Sequence, residues 1–327
     1  MSKKRWIALG IAFLLLVVSL ITQAASTNWN DLVSEFDNKY AENVIQEGDT
    51  NNRIAVISLN GTIQDDGEGS MFSAGGYNHQ RMLDVLDHAA EDDSVSGIIM
   101  HINSPGGGVV ESAEVHDKIV DIQKKSKKPV YVSMGNTAAS GGYYISAGAE
   151  KIVAHPATLT GSIGVIMQSI DYSQLADDLG IDFNTIKSGK YKDIMSSNRK
   201  MTKDEHDILQ TMINQMYDQF VQVIVDGREL PDETVRKLGD GRVYTGIQAK
   251  ENHLVDDLGS LDDTIELMEK DHKLKGAEVV RYKNGGGLGS FFNATIQKTF
   301  GKEQDFFGVR DIMKDSESPR AMYLYTE

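Results

Sequence analysis

The sequence predicts an α/β fold in which helices cover a mostly parallel sheet. Short apolar, β-branched runs alternate with stretches of helical periodicity between residues 53 and 187, the pattern expected of a parallel sheet with helical crossovers. Glycine-rich turns at 103–108 and 140–142 follow two of the predicted strands. Open α/β sheets bind their ligands at such strand ends, so both turns are candidate functional sites.

The individual elements are predicted from their periodicity. The predicted strands are 54–59, 95–102, 129–133, 151–154 and 183–187, and the predicted helices are 81–90, 109–122 and 173–179. A capping box at 202–205 predicts the start of a longer helix. Its apolar stripe from Ile208 to Ile224 favours a core or subunit interface over a binding groove.

Residues 1–26 are interpreted as an N-terminal signal anchor. Basic residues at 3–5 precede an apolar run over 6–22, which predicts that the N-terminus stays cytoplasmic while the rest crosses the membrane. The run has the minimum length for a spanning helix and is followed by a possible cleavage site, so a cleaved signal peptide is the alternative. Both interpretations place the remaining chain outside the cytoplasm.

Three further segments complete the predicted domain organisation. Residues 27–52 are polar and acidic and form a spacer, either a short amphipathic helix or a flexible stalk. The folded domain is predicted over 53–275, followed by a C-terminal extension with a flexible tail over 276–327. The tail ends in apolar residues and could occupy an active site as substrate or inhibitor, although a loose terminus is the simpler interpretation.

Composition excludes several classes of function. The formal net charge is −15 and the basic residues are scattered beyond the N-terminal cluster, so no nucleic-acid partner is expected. The absence of cysteine excludes disulfides, thiolate zinc sites and cysteine nucleophiles. The eight histidines show no HExxH spacing, and neither a metal nor a cofactor is implied.

Ser140 is the candidate nucleophile. It lies in MGNTAASGGYYIS at a predicted strand-to-helix turn. Small neighbours admit a substrate backbone, and the helix start favours developing negative charge. The alternative is that Ser140 only caps the helix. The second turn, at 106–108, lacks the lysine of a phosphate-binding loop. Backbone amides of Gly107 and Gly141 on either side of Ser140 would instead suit attack on an amide or ester carbonyl.

The general base is not determined by spacing. His101 and His155 are candidates, but neither has an orienting acid at a telling distance along the chain. A lysine amine acts as a base only when burial lowers its pKa from about 10.4. Lys187, Lys190 and Lys192 share one loop, and on their own they are also compatible with a solvated basic loop.

The segments HINSPGGGV, MGNTAASGGYYIS, TGSIGV and SGKYKD resemble those of the signal peptide peptidase A family, membrane-bound serine proteases with a Ser/Lys dyad. The resemblance extends from about residue 53 to 268, and the chain length is similar to the short Gram-positive form. It implies Ser140 as nucleophile, Lys192 as general base and Ser162 as the residue that orients Lys192. It also implies Gly107 and, by position, Gly141 as oxyanion donors.

The resemblance further implies a fold similar to the crotonases and Clp proteases. Family members form membrane-facing rings in which neighbouring subunits complete each active site. The expected substrates are extended apolar peptides, chiefly cleaved signal peptides at the outer face of the cytoplasmic membrane. An acyl-CoA hydratase or thioesterase on the same fold and a non-catalytic membrane scaffold are the two alternatives.

Overall fold

The computed structural model describes residues 42–65, 77–282 and 321–325, together with the single positions 5 and 40. The chain divides into two compact units, and nearly all of the described residues belong to the unit of Asn43–Tyr282 with Lys302–Glu327. Within the described residues no helix combines the length and apolar character needed to cross a membrane. The predicted anchor at 1–26 lies outside them, apart from Arg5.

The described chain contains eleven strands and eight α-helices, numbered here in chain order. The strands are β1 Glu42–Gln46, β2 Asp49–Asn60, β3 Val95–Ser104, β4 Gly106–Gly108, β5 Val130–Ala139, β6 Lys151–Ala154, β7 Leu159–Gly161, β8 Val243–Thr245, β9 Asp257–Leu258, β10 Ala277–Tyr282 and β11 Met322–Leu324. The helices are α1 His79–Glu91, α2 Val109–Asp121, α3 Gly141–Ser146, α4 Ser173–Asp178, α5 Lys203–Arg228, α6 Asp232–Leu238, α7 Gly246–Glu251 and α8 Leu261–Asp271. A π-helical turn, Ile122–Ser126, continues α2.

The main sheet has nine strands in the order β1-β10-β2-β3-β5-β6-β9, with β7 paired to β5 and β8 paired to β7. Every pairing from β10 to β9 along this order is parallel, as is β5 with β7, whereas β7 and β8 are antiparallel. The predicted mostly parallel α/β fold is therefore confirmed. Parallel strands covered on both faces need the continuous apolar runs seen in this sequence.

The centre of the sheet is a dry core that fixes where the strands end. Ala55, Ile98 and Val130 lie side by side on β2, β3 and β5, and all three are fully buried. On the opposite face of the sheet, Ile265 and Met268 of α8 pack with Ile54, Ile99 and Tyr131. Because the strands are in fixed register, the turns that follow β3 and β5 emerge at the same edge of the sheet.

The structure corrects three local predictions. Residues 183–187 form no strand, and Phe183 and Ile186 are exposed, because no neighbouring strand pairs with this run. The spacer is not helical at 42–46, which forms β1, and β2 begins at Asp49. The sheet also extends past residue 275, since β10 lies between β1 and β2.

Helix α5 begins at the predicted capping box, in which Thr202 and Glu205 exchange side-chain and backbone hydrogen bonds. Its apolar stripe divides into two parts. Phe220 and Ile224 are fully buried in the core, whereas Ile208 and Met212 near the start of the helix are 38% and 40% exposed. The first half of α5 therefore presents an apolar surface to solvent in the single chain.

Candidate active site

Ser140 occupies a sharp turn between β5 and α3. Its backbone has φ 53° and ψ −114°, a conformation that costs a non-glycine residue about 1–3 kcal/mol. The Ser140 amide donates to the carbonyl of Gly161 at 2.8 Å, which holds the turn against β7. The Ser140 side chain makes no capping hydrogen bond to α3, so helix capping does not explain this serine.

Glycines are required around Ser140 because two backbone segments meet there. A Cβ on Gly141 would lie 2.5 Å from the Ser112 hydroxyl oxygen and 3.1 Å from the Gly107 nitrogen. Gly106 has φ 103°, and a Cβ at this position would lie 2.6 Å from the Gly141 nitrogen. The two predicted oxyanion donors, Gly107 and Gly141, are thus brought together on either side of the turn.

Ser162 lies beside Ser140 at the next strand end. Gly161 of β7 is in register with Ala139 of β5, so the two serines follow directly adjacent parallel strands, which lie about 4.8 Å apart. Ser162 has φ 50° and is 8% exposed, and its amide donates to the carbonyl of Arg242 at 2.8 Å. The structure therefore groups Ser162 with Ser140.

Lys192 lies in an exposed turn between α4 and α5. Its amide donates to the Gly189 carbonyl at 3.2 Å, and its side chain is exposed. Among the described residues, no hydrogen bond joins the Lys192 amine to Ser140 or Ser162. A single chain thus brings together the candidate nucleophile and the candidate oxyanion donors without the lysine.

Ion pairing distinguishes the three lysines that spacing left equivalent. Lys187 binds Asp193 at 2.5 Å, and Lys190 binds Asp204 at 2.7 Å, which raises the pKa of Lys190. Lys192 has no carboxylate partner within the described parts of the chain. Because an ion pair favours the protonated amine, Lys192 is the loop lysine best suited to act as a base.

The histidine candidates do not reach Ser140. His101 is in register with Ser133, seven residues before Ser140, which corresponds to roughly 20 Å along β5. Burial lowers the pKa of His101. His155 is exposed and accepts a hydrogen bond from the Ala157 amide at 3.1 Å.

The C-terminal segment forms a strand against the candidate oxyanion site. Strand β11 pairs antiparallel with β4, and Tyr323 lies opposite Gly107. On its other side Met322 exchanges backbone hydrogen bonds with Ile166, at 2.9 and 3.0 Å. The loose-terminus interpretation is therefore wrong for residues 321–325.

Tyr323 anchors this strand in an aromatic pocket that the sequence analysis missed. Its fully buried ring stacks on Tyr144 at 5.0 Å and contacts Phe220 at 4.7 Å, and its hydroxyl donates to the Met216 carbonyl at 3.1 Å. The Tyr323 carbonyl oxygen and the Gly141 nitrogen would both lie within 2.6 Å of a Cβ on Gly106. A peptide carbonyl thus lies beside the candidate donors. In the sequence, the apolar residues near the end of the tail were the one indication of this placement.

Comparison with known proteins identifies the family. A sequence model of peptidase family S49 matches residues 122–275, a span that includes Ser140, Ser162 and Lys192. A protein of Enterococcus faecium named "Putative signal peptide peptidase SppA" is 40% identical over 342 residues, which cover 99% of each chain. The chain belongs to peptidase family S49.

Two further relatives agree with this assignment. Protease 4 of Haemophilus influenzae is 36% identical to this chain, over 67% of this chain and 35% of the relative. The chloroplastic serine protease SPPA of Arabidopsis thaliana is 30% identical, over 58% of this chain and 28% of the relative. The predicted family resemblance is confirmed, and the enzyme class is that of a serine peptidase.

An exposed apolar surface in the S49 peptidase leads towards Lys192. Nine large hydrophobic side chains between residues 166 and 191 are at least 39% exposed, and Ile186 is fully exposed. Monomeric proteins rarely leave so many large apolar groups together in water. We call this segment the apolar arm; its exposed members are Ile166, Ile170, Tyr172, Leu175, Leu179, Ile181, Phe183, Ile186 and Tyr191.

Proposed function

We propose that the S49 peptidase is a serine endopeptidase with a Ser140/Lys192 dyad completed between subunits. Ser140 is the nucleophile, Lys192 of a neighbouring subunit is the general base, and Ser162 orients the lysine amine. Gly107 and Gly141 bind the oxyanion. The observation that carries this proposal is the tail carbonyl beside both glycines, next to a serine in a strained turn.

The proposed reaction has two stages. The neutral amine of Lys192 accepts the Ser140 proton while the hydroxyl oxygen bonds to the peptide carbonyl carbon, and the resulting oxyanion is held by the two glycine amides. The carbon–nitrogen bond then breaks, and the lysine passes its proton to the leaving amine. Water attacks the acyl-enzyme and gives a proton to Lys192. The ester bond then breaks as Lys192 passes that proton to the Ser140 oxygen, which restores the hydroxyl and the neutral amine. Loss of one oxyanion donor typically costs about 2.7–4 kcal/mol of transition-state stabilisation.

A neighbouring subunit would supply what the single chain lacks. A lysine base must be shielded from water, yet Lys192 is exposed here. Packing of the apolar arm against a second copy would bury both the arm and the adjacent lysine loop. Repetition of this head-to-tail contact would close a ring. A ring on a crotonase- or Clp-like fold is therefore the assembly we propose.

The proposed substrates are extended apolar peptides, chiefly cleaved signal peptides. Strand β11 supports this because an extended segment adds to β4 through backbone hydrogen bonds while a large side chain enters the Tyr144–Phe220 pocket. Backbone pairing tolerates many sequences, whereas the buried pocket disfavours charge.

A paired-substrate assay tests this function. A signal-peptide sequence should be hydrolysed, and an otherwise identical peptide with aspartate at the position that enters the pocket should have a kcat/KM at least about tenfold lower. Measurement of kcat/KM by chromatography of the products gives the comparison. Equal values for the two peptides would contradict the proposed substrate class.

The proposed location is the cell membrane, with residues 1–26 as a single anchor and the catalytic domain on the extracytoplasmic side. The basic cluster before the apolar run supports this orientation. Protease added to intact spheroplasts should digest the catalytic domain. Full protection there, with digestion after lysis, would contradict the location.

The tail should compete with substrate. Because it is covalently attached, its effective concentration reaches the millimolar range. Removal of residues 321–327 should lower the apparent KM for a short peptide several-fold without lowering kcat. Tyr323→Ala should act in the same direction, whereas Tyr325→Ala, which alters a less buried side chain, should have a smaller effect. An unchanged KM in both the truncated chain and Tyr323→Ala would show that the tail does not compete.

A further inference from the structure

Arg199 joins the turn that carries Lys192 to the start of α5. Its guanidinium donates to the Asp193 carboxylate from Nε at 2.9 Å and from Nη2 at 2.8 Å. The same group donates to Glu205 from Nη1 at 2.9 Å and from Nη2 at 2.5 Å, and also to the Asp193 carbonyl at 2.9 Å. One side chain therefore fixes both the backbone and the carboxylate of the residue that follows Lys192.

The two carboxylates are shielded from solvent. The Asp193 and Glu205 side chains are 15% and 3% exposed. Glu205 also accepts hydrogen bonds from the amide and hydroxyl of Thr202, at 2.8 and 2.9 Å, so it belongs to the cap of α5. The turn itself includes Met195 at φ 66°, a left-handed conformation that surrounding contacts must hold.

The charges around Asp193 balance. Lys187 donates to the Asp193 carboxylate at 2.5 Å, so two cations and two carboxylates make a neutral cluster. The remaining acid that α5 presents here, Asp204, is bound by Lys190. The hydrogen bonds that Asp193 accepts, chiefly from Arg199 and next from Lys187, lower the pKa of its carboxyl group. Asp193, the carboxylate next to Lys192 in the chain, is therefore already compensated by Lys187 and Arg199.

We propose that Arg199 is a positioning residue of the peptidase, which acts through Asp193 in two ways. It clamps the Lys192 turn onto α5, and it keeps the adjacent carboxylate from stabilising the protonated lysine amine. This inference rests on the proposed role of Lys192 as the general base.

The variant Arg199→Gln tests it by the pH dependence of peptide hydrolysis. The neutral cluster then carries a net charge of −1, which favours the protonated form of a nearby amine. Since the reaction needs the neutral amine, the acid limb of kcat/KM should move to higher pH by about one unit. Activity at a pH below the limb should fall about tenfold, because one pH unit corresponds to a factor of ten.

Two further variants separate charge from structure. Arg199→Lys retains the positive charge but loses the bidentate geometry, so kcat should fall while the acid limb stays in place. The double variant Arg199→Gln/Asp193→Asn has a neutral cluster again and should return the limb to its parental position. Arg236→Gln is the control. It removes an arginine of α6 that pairs with Asp218 of α5 and Asp232 of α6, and it should retain the parental pH profile.

The outcomes distinguish this inference from the proposed function. If Lys192→Ala is inactive while Arg199→Gln keeps the parental acid limb, the inference about Arg199 is wrong and the dyad stands. If the limb moves but the double variant does not restore it, the charge argument is wrong. If Lys192→Ala keeps parental activity, Lys192 is not the general base, and the inference about Arg199 is wrong together with it. Thermal unfolding of each variant shows whether its fold is intact, and the limb can be measured on any residual activity.

Discussion

Replacement of Ser140 by alanine should abolish peptide hydrolysis. In serine peptidases the removal of the nucleophile lowers kcat about 10⁶-fold, which leaves only the catalysis due to binding and the oxyanion donors. Ser140→Ala should nonetheless fold, because its side chain makes no capping hydrogen bond. Steady-state hydrolysis of an apolar peptide by the purified full chain measures the loss.

Ser146→Ala provides a matched control. Ser146 lies on the same short helix, is fully buried, and donates only to the Gly142 carbonyl, at 2.7 Å. Its replacement should cost about 1 kcal/mol of stability and leave hydrolysis close to the parental rate. If Ser140→Ala hydrolyses the peptide as fast as the parent, Ser140 is not the nucleophile. If the parent itself is inactive, the non-catalytic scaffold is the better description.

Lys192→Ala should cause a loss of similar size, because without its base the Ser140 hydroxyl is a weak nucleophile at neutral pH. Lys200→Ala changes the net charge equally and removes an exposed lysine of the same region, so it is the control and should remain active. Hydrolysis is measured from pH 6 to 10, so that a shifted optimum is not mistaken for a loss of activity. Parental rates throughout this range for Lys192→Ala would exclude the dyad.

Local sequence patterns predicted the parts of the site that depend on strand ends. Ser140 and Gly107 each lie in a predicted glycine-rich turn, and parallel strands in register bring such turns to one edge. Ser162 was indicated only by the family resemblance, and it follows β7 at the same edge. The strained backbone of Ser140 is a direct consequence of a strand that passes into a helix within one residue.

The remaining parts depend on contacts between distant segments. Asp193 and Asp204 pair with Lys187 and Lys190 but not with Lys192, and spacing along the chain does not reveal this difference. The sequence predicts residues 276–327 as an extension, because nothing local shows that the part which forms β10 lies beside β2. The tail strand is held by its pairing with β4 and Ile166 and by the burial of Tyr323, which are contacts with distant parts of the chain. In each case tertiary pairing outweighs local propensity.

Mixing of two inactive variants tests most directly whether Ser140 and Lys192 act across a subunit boundary. Ser140→Ala and Lys192→Ala are co-expressed in equal amounts and purified together as one assembly. In a randomly mixed ring about one site in four pairs an intact Ser140 with an intact Lys192 of the required neighbour, so about a quarter of the parental activity should return. If the mixed assembly forms at the parental size and stays as inactive as each variant alone, the dyad is not shared between subunits.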